Sequence, residues 1–283
     1  MRIKKVKSER RKYMSKFVYA DNAATTNVSP EVLREMMPYF GSEYGNPSSL
    51  YSIGRSASLA ISAAREKIAS LLGAKSNEIY FTSCGSESDN WAIKGAAHAN
   101  AAKGKHIITT VYEHHAVLHT MDSLKKEGFE ITYLKVDSNG QITPEELEAA
   151  IRPDTILIAA MFANNEIGSV LPIKEFAAVA KRHKITIFTD AVQAVGNIPV
   201  NVSELGVDML SLSGHKIHAP KGIGVLYVKT GVRIANLIDG GGQERGRRGG
   251  TENVAYIVGL AKALDFPTWG ESPPCATVLQ QRS

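Results

Sequence analysis

Reactive sulfur is scarce in this 283-residue chain, which has two cysteines, Cys84 and Cys275. Two thiols cannot build a disulfide framework or an all-cysteine metal site, and a reducing cytoplasm is the simplest compartment for them. Long apolar runs are missing as well. No uninterrupted stretch approaches the roughly 20 residues of a membrane helix, and the longest charge-poor one, TILIAAMFANN, reads as a buried strand. Acidic residues are nearly absent from residues 1–16, which hold eight Lys or Arg against one Glu. That leader carries +7, so the whole-chain charge of +5 leaves −2 on the other 267 residues. The basic character belongs to the leader, and neither a nucleic-acid-binding face on the body nor a membrane partner is expected. The leader also lacks the apolar core of a secretory signal. It reads as a disordered or misassigned stretch (residues 1–17), with Met14 opening a natural start; a basic organelle presequence is the alternative.

What is present is an ordinary globular composition, 43% apolar and 22% charged, on a chain long enough to bury a substantial core. Helix and strand patterns alternate from about residue 29 to 228. SPEVLREMMPYF opens with Ser29 as N-cap and Pro30 at the first helical position, and ASLAISAAREKIASLLG stops at a glycine, Gly73. EIYFT, HIITT, FEITYLKVD, TILIAAMFA and ITIFTDA read as strands, SDNWAIKGAAHANAA and PIKEFAAVAKRHK as helices. TPEELEAAI begins with a capping box, Thr143 paired with Glu146. Near-continuous apolar strands alternating with helices predict an α/β fold with a mostly parallel sheet, covered by helices on both faces. After NVAYIVGLAKAL the pattern breaks: residues 265–283 hold three prolines and no apolar period, and read as an irregular tail.

In such sheets ligands bind beyond the carboxyl ends of the strands, where helix N-termini also point. TSCGSESDN follows EIYFT, His114 follows HIITT, NNEIG follows TILIAAMFA, and Asp190 with Gln193 closes ITIFT; Lys216 follows DMLSLS. Each feature alone is as readily a cap or a satisfied core polar group. Together they match what pyridoxal phosphate requires. A lysine amine must react with its aldehyde, a carboxylate must pair with its ring nitrogen, donors must cradle its phosphate and an aromatic side chain must cover its ring. Lys216, Asp190, the 82–88 loop and His114 supply those groups in that order.

The order of the segments YADNAATT, YGNPSSLYSIGRSA, FTSCGSESDNWAIKG, EHHAVL, NNEIG, TDAVQAVG, SGHKIHAPKGIGVLYV and GGGQERGRRGGTEN resembles that of NifS/IscS-type cysteine desulfurases, over about residues 18–264. These are class V aminotransferase-like enzymes of fold type I. The resemblance implies a three-layer large domain over 18–264, with the family's small domain largely absent, and a homodimer. It also implies that L-cysteine is converted to L-alanine, the sulfur passing to an acceptor or scaffold protein for iron–sulfur cluster or thio-cofactor assembly. It makes Lys216 the lysine that bonds the cofactor and Asp190 the partner of its ring nitrogen, with Gln193 at the ring oxygen. His114 would stack on the ring and move protons. Gly85, Ser86, Ser213 and His215 would hold the phosphate, Asn164 would face the substrate side, and Thr251 would reach the phosphate of a second subunit.

His215 reads equally as a capped core histidine, Asn165 and Glu166 as shaping a turn, and His115, His119 and His218 as bystanders. GGGQERGRRGG reads as an interface loop, or alternatively as a solvated basic one. The family's persulfide-forming cysteine and its carboxylate-binding arginine are expected on the small domain. Neither Cys84 nor Cys275 stands in a matching context, so a truncated or frame-shifted product, or a natural short form, is expected. Another class V enzyme (an aminotransferase or a selenocysteine lyase), a non-catalytic cofactor-binding remnant, and a nucleic-acid binder acting through the leader are the alternatives.

Overall fold

The computed structural model describes residues 19–265; the leader of residues 1–17 and nearly all of the 265–283 tail lie outside them. Seven strands form one sheet: β1 (Ile79–Thr82), β2 (His106–Thr110), β3 (Glu130–Leu134), β4 (Thr155–Ala159), β5 (Thr186–Asp190), β6 (Met209–Ser213) and β7 (Gly224–Val228), in the order β1-β7-β6-β5-β4-β2-β3. The neighbours from β6 through β3 are all parallel, whereas β7 runs antiparallel to both β6 and β1. The fold is therefore the mostly parallel α/β sheet expected. The five-residue strands β2, β4, β6 and β7 are buried along their whole length, their polar members such as His106, Thr109 and Ser211 included.

The helices are α1 (Pro30–Met36), α2 (Ser52–Leu72), α3 (Gly85–Asn100), α4 (His115–Lys126), α5 (Pro144–Ala149), α6 (Ile173–Arg182), α7 (Val202–Leu205), α8 (Gln243–Gly246) and α9 (Val254–Ala263). They divide between two apolar layers. Alternate strand residues point to opposite faces: Ile108, Ile158, Ile187 and Leu210 join one cluster with α1, α2, α6 and α9, while Ile107, Leu157, Phe188 and Met209 join a second with α3 and α4. This is the three-layer arrangement. Trp91 of α3 is completely buried in the second layer, and its Nε1 donates to Ala235 O at 3.0 Å, so its polar edge is also satisfied.

The ends of the elements follow their residues. Ser29 Oγ accepts from Val32 N at 3.2 Å, and Gly73 ends α2 at φ 69°, a conformation in which a side chain would be strained. Thr143 and Glu146 close the capping box reciprocally, at 2.8 and 3.2 Å. The run TILIAAMFA is a strand only to Ala159. Beyond it Ala160 N and Phe162 N still donate, to Phe188 O and Asp190 O, and draw the chain along β5 toward the carboxyl ends of the sheet.

Candidate active site

Strand order places β2 between β3 and β4, so the chain leaves β2 to one side and returns on the other. At such a switch point a crevice opens beyond the carboxyl ends. A cavity of about 500 Å³ lies there. Its walls come from the loop entering α3 (Cys84, Gly85, Ser86), from His114 after β2, from Asn165 and Glu166 after β4, and from Asp190, Val192 and Gln193 after β5; Ser213, His215 and Lys216 after β6 complete it. Every strand-end feature singled out in the sequence therefore contributes to one chamber.

Lys216 sits at the end of a 3-10 turn, Gly214–Lys216, that follows β6 directly. Its ammonium donates to the carbonyls of Ala23 and Ala24, the latter at 3.0 Å. Burial pulls its pKa below the usual lysine range, against the opposing charges of Asp21 and Asp190. The segment that receives it is zipped along the same turn. Thr26 N and Thr26 Oγ1 both donate to His215 O at 2.8 Å, and Thr25 Oγ1 lies 3.1 Å from His215 Nδ1. Gln193 Nε2 also donates to Ala23 O, at 2.9 Å. Asp21, Ala23 and Ala24 of this segment thus line the cavity, the two alanines presenting backbone carbonyls to Lys216.

Asp190, only 4% exposed, accepts from Val192 N at 2.9 Å. Burial raises its pKa, and the Val192 N–H and the charges of His114 and Lys216 oppose that rise. Behind it lies a polar group that sequence reasoning missed: Ser211 Oγ is 2.5 Å from Asp89 Oδ1, with both side chains fully enclosed. Burial and the neighbouring Asp190 push Asp89 well above the carboxylate range. Glu113 was missed too. Its Oε1 accepts from Thr110 Oγ1 at 2.7 Å and from Met161 N at 2.9 Å, tying the ends of β2 and β4 together, while its Oε2 is buried without a partner. Burial lifts its pKa to about 8, so it holds a proton at neutral pH. Periodicity offered a signal for two of these: Asp89 is four residues beyond Gly85 on α3, and Ser211 two before Ser213 on β6, each pair sharing a face.

The α3 N-terminus forms an anion cradle. The first intrahelical bond runs from Ser88 N to Cys84 O at 3.2 Å, leaving the N–H groups of Gly85, Ser86 and Glu87 to point beyond the helix end. A Cβ on Gly85 would come 2.9 Å from Val192 Cγ2 and 3.3 Å from Ser213 Cβ, so this wall tolerates no side chain. His114 caps α4 by accepting from Ala116 N at Nδ1, 3.1 Å, which leaves Nε2 to carry or exchange a proton. His215 is drawn below the usual imidazole range by burial, then by Lys216 and Lys221.

One expected residue stands elsewhere. Asn164 is buried in the turn after β4: its amide donates to Tyr112 O at 2.9 Å, and its Oδ1 accepts from Glu166 N and Ile167 N. The cavity wall is formed by Asn165 and Glu166 instead. Thr251 is exposed and does not line this cavity. The glycine-rich loop before it is anchored inward at Glu244, which pairs with Arg65 at 2.7 and 2.8 Å, and Arg248 reaches Glu87 on the first turn of α3 at 2.8 Å. His115 and His119 stack on each other, 5.1 Å apart, along the exposed side of α4. Among the described residues no cluster of His, Cys, Asp or Glu has the makings of a metal site, and no helix is long and apolar enough to cross a membrane.

Comparison with known proteins agrees with this geometry. The chain is 58% identical, over 254 residues, to cysteine desulfurase IscS of Methanosarcina thermophila, a match covering 90% of this chain and 63% of that protein. It is 55% identical to cysteine desulfurase IscS of Clostridium botulinum strain Hall, covering 89% of this chain and 64% of that one. The chain thus spans just under two thirds of the length of these curated relatives. Among solved structures, a NifS-like protein superposes with a TM-score of 0.86 at 44% identity, covering 93% of this chain and 71% of the other. SspA in complex with cysteine superposes at 0.89 and 42%, covering 93% and 77%. The pattern described as aminotransferase class-V matches residues 18–272, the whole of the described region. The chain belongs to the class-V aminotransferase family.

Proposed function

We propose that this chain is the cofactor-binding large domain of a pyridoxal-phosphate-dependent cysteine desulfurase, converting L-cysteine and an acceptor thiol to L-alanine and a persulfide. The observation that carries the reading is the meeting, in one cavity of about 500 Å³, of the Lys216 amine, the buried Asp190 carboxylate and the side-chain-free cradle at Gly85. These groups fit the cofactor's aldehyde, ring nitrogen and phosphate. Once bound, pyridoxal phosphate supplies a reactive aldehyde and a ring that withdraws electrons from the substrate's α-carbon.

The chain's own residues divide the remaining work. Lys216, with its lowered pKa, presents more of the neutral amine that bonding requires. Asp190 keeps a positive charge on the ring nitrogen. The first-turn N–H groups at Gly85 and Ser86, with Ser213 and His215, hold the phosphate. His114 covers the ring and exchanges protons at Nε2, its Nδ1 being committed to the helix cap. Gln193 spends one amide hydrogen on Ala23 O and keeps the other for the ring oxygen. Asn164 acts through the turn that presents Asn165 and Glu166 to the substrate side. Thr251 serves the phosphate of a second copy in a homodimer, and a scaffold or acceptor protein takes the sulfur onward in the cytoplasm.

The reading is tested by supplying L-cysteine and dithiothreitol to the protein loaded with pyridoxal phosphate and measuring alanine and sulfide. Equimolar alanine and sulfide, absent in Lys216→Ala, support it. Turnover of selenocysteine or of an amino-acid/keto-acid pair without cysteine turnover replaces it with another class V activity.

A further inference from the structure

Two carboxyl groups of the cavity lining flank one buried hydroxyl. Asp190 and Ser211 are register partners on the parallel strands β5 and β6, and Asp89 approaches Ser211 from α3. Exposures of 4% for Asp190, 0% for Ser211 and 1% for Asp89 leave little solvent to share the load. Ser211 Oγ is 2.5 Å from Asp89 Oδ1, and the strand register sets Ser211 beside Asp190 on the neighbouring strand. A hydroxyl owns one hydrogen and cannot donate to two carboxylates at once, and two such charges in a dry site repel. One further proton must be present.

The surroundings say where it resides. Asp190 accepts from the Val192 N–H, and the nearby His114 and Lys216 both favour its ionised form. The groups acting on Asp89, besides Ser211, are the carboxyls of Asp190 and Glu113 and the thiol of Cys84, none of which favours a negative charge. We infer that Asp89, as an uncharged carboxylic acid, is the positioning residue for Asp190: it donates to Ser211 Oγ, whose single hydrogen is thereby directed onto the Asp190 carboxylate. The strong upward displacement of Asp89, caused by burial and then by Asp190, agrees with that assignment. The inference deepens the reading of Asp190 as the ring-nitrogen partner and rests on it for its consequence in cofactor binding.

Replacing Asp89 by asparagine keeps a donor to Ser211, whereas leucine removes it. In the protein with bound pyridoxal phosphate, Asp89→Asn should keep the cofactor dissociation constant within about threefold. Asp89→Leu and Ser211→Ala should weaken it by roughly 10- to 100-fold and move the pH midpoint of the visible absorbance, the scale of one lost hydrogen bond to a charged group. Asparagine proving as damaging as leucine, or leucine proving silent, overturns the inference.

Infrared difference spectra of the protein without added cofactor separate it from the proposed function. At neutral pH the protonated-carboxyl band should retain a component in Glu113→Gln that disappears when Asp89→Asn is added. The carboxylate band assigned by Asp190→Asn should shift in Ser211→Ala and stay in place in Asp89→Asn. If Asp89 contributes no protonated-carboxyl band, the inference fails whether or not the cofactor binds. If both infrared results hold while the wild type binds no pyridoxal phosphate, the proton chain stands and the proposed function fails. Should the leucine variant not fold, the asparagine and Ser211→Ala pair decides.

Discussion

Asp190 and Glu244 are equally buried, at 4% exposure each, yet their surroundings differ in kind. Glu244 is fully engaged: both oxygens meet the Arg65 guanidinium, and Oε2 also accepts from Phe81 N at 3.0 Å. Its backbone is held at φ 46°, with Arg245 at 60°, left-handed conformations that a non-glycine residue adopts at a cost. Here a carboxylate has been committed to fastening a loop to α2 and β1. Asp190 accepts one backbone N–H, faces the Lys216 amine across a cavity, and sits with its pKa raised by burial. A carboxylate left under-supplied at a strand end, facing an amine that is itself destabilised, is poised for a cationic guest. The lesson is that burial does not distinguish a structural carboxylate from a functional one; the state of its partners does.

Breaking each carboxylate should expose the contrast. Asp190→Asn should lower cysteine turnover by about 10²- to 10³-fold, the scale of losing one member of a desolvated charge pair, while urea denaturation shows stability unchanged or increased. Glu244→Ala strands Arg65 and should cost about 3–5 kcal/mol of stability, with the folded fraction still binding cofactor; equal damage to binding and stability in both variants would erase the distinction. A third carboxyl sharpens it. Glu113 is raised to about 8 from an ordinary 4.5, so it favours the folded state fully below about 4.5, and that contribution is lost as pH rises through about 8. Wild-type stability should therefore fall across that window by at most about 1.4 kcal/mol per pH unit, and Glu113→Gln should flatten the profile in denaturation series at fixed pH values. Gly85→Ala should cost about 1–3 kcal/mol through overpacking and weaken cofactor binding in absorbance titrations. Thr143→Ala, remote from the cavity, should cost about 1 kcal/mol through its lost cap and leave the cofactor spectrum unaltered.

Much of this architecture was legible before the fold was known. Apolar strands bounded by caps and glycines marked the alternating elements, and Lys216 stands directly after β6, as the DMLSLS run predicted. The antiparallel insertion of β7 between β1 and β6 was not legible, because strand direction is decided by pairing partners distant in the chain. In the site, the strand-end residues singled out for their chemistry meet in one cavity, and those acting through backbone or through another residue were not singled out. Ala23 and Ala24 contribute carbonyls, Asp89 reads as one more polar residue of α3, and Ser211 lies within an apolar strand. Asn164 was placed at the substrate by the family resemblance; its buried amide fastens the turn, and its neighbours face the cavity. Glu244, in a run of glycines and arginines, carries no sequence mark of its buried partner Arg65.

The central claim is that Lys216 is the one amine this fold prepares for an aldehyde. It is tested most directly by incubating the protein with pyridoxal phosphate, reducing with borohydride and mapping the modified peptide by mass. The account predicts stoichiometric modification at Lys216, accompanied by a visible absorbance band before reduction, both lost in a folded Lys216→Ala. Modification scattered over surface lysines, or a visible band that survives in Lys216→Ala, would contradict it.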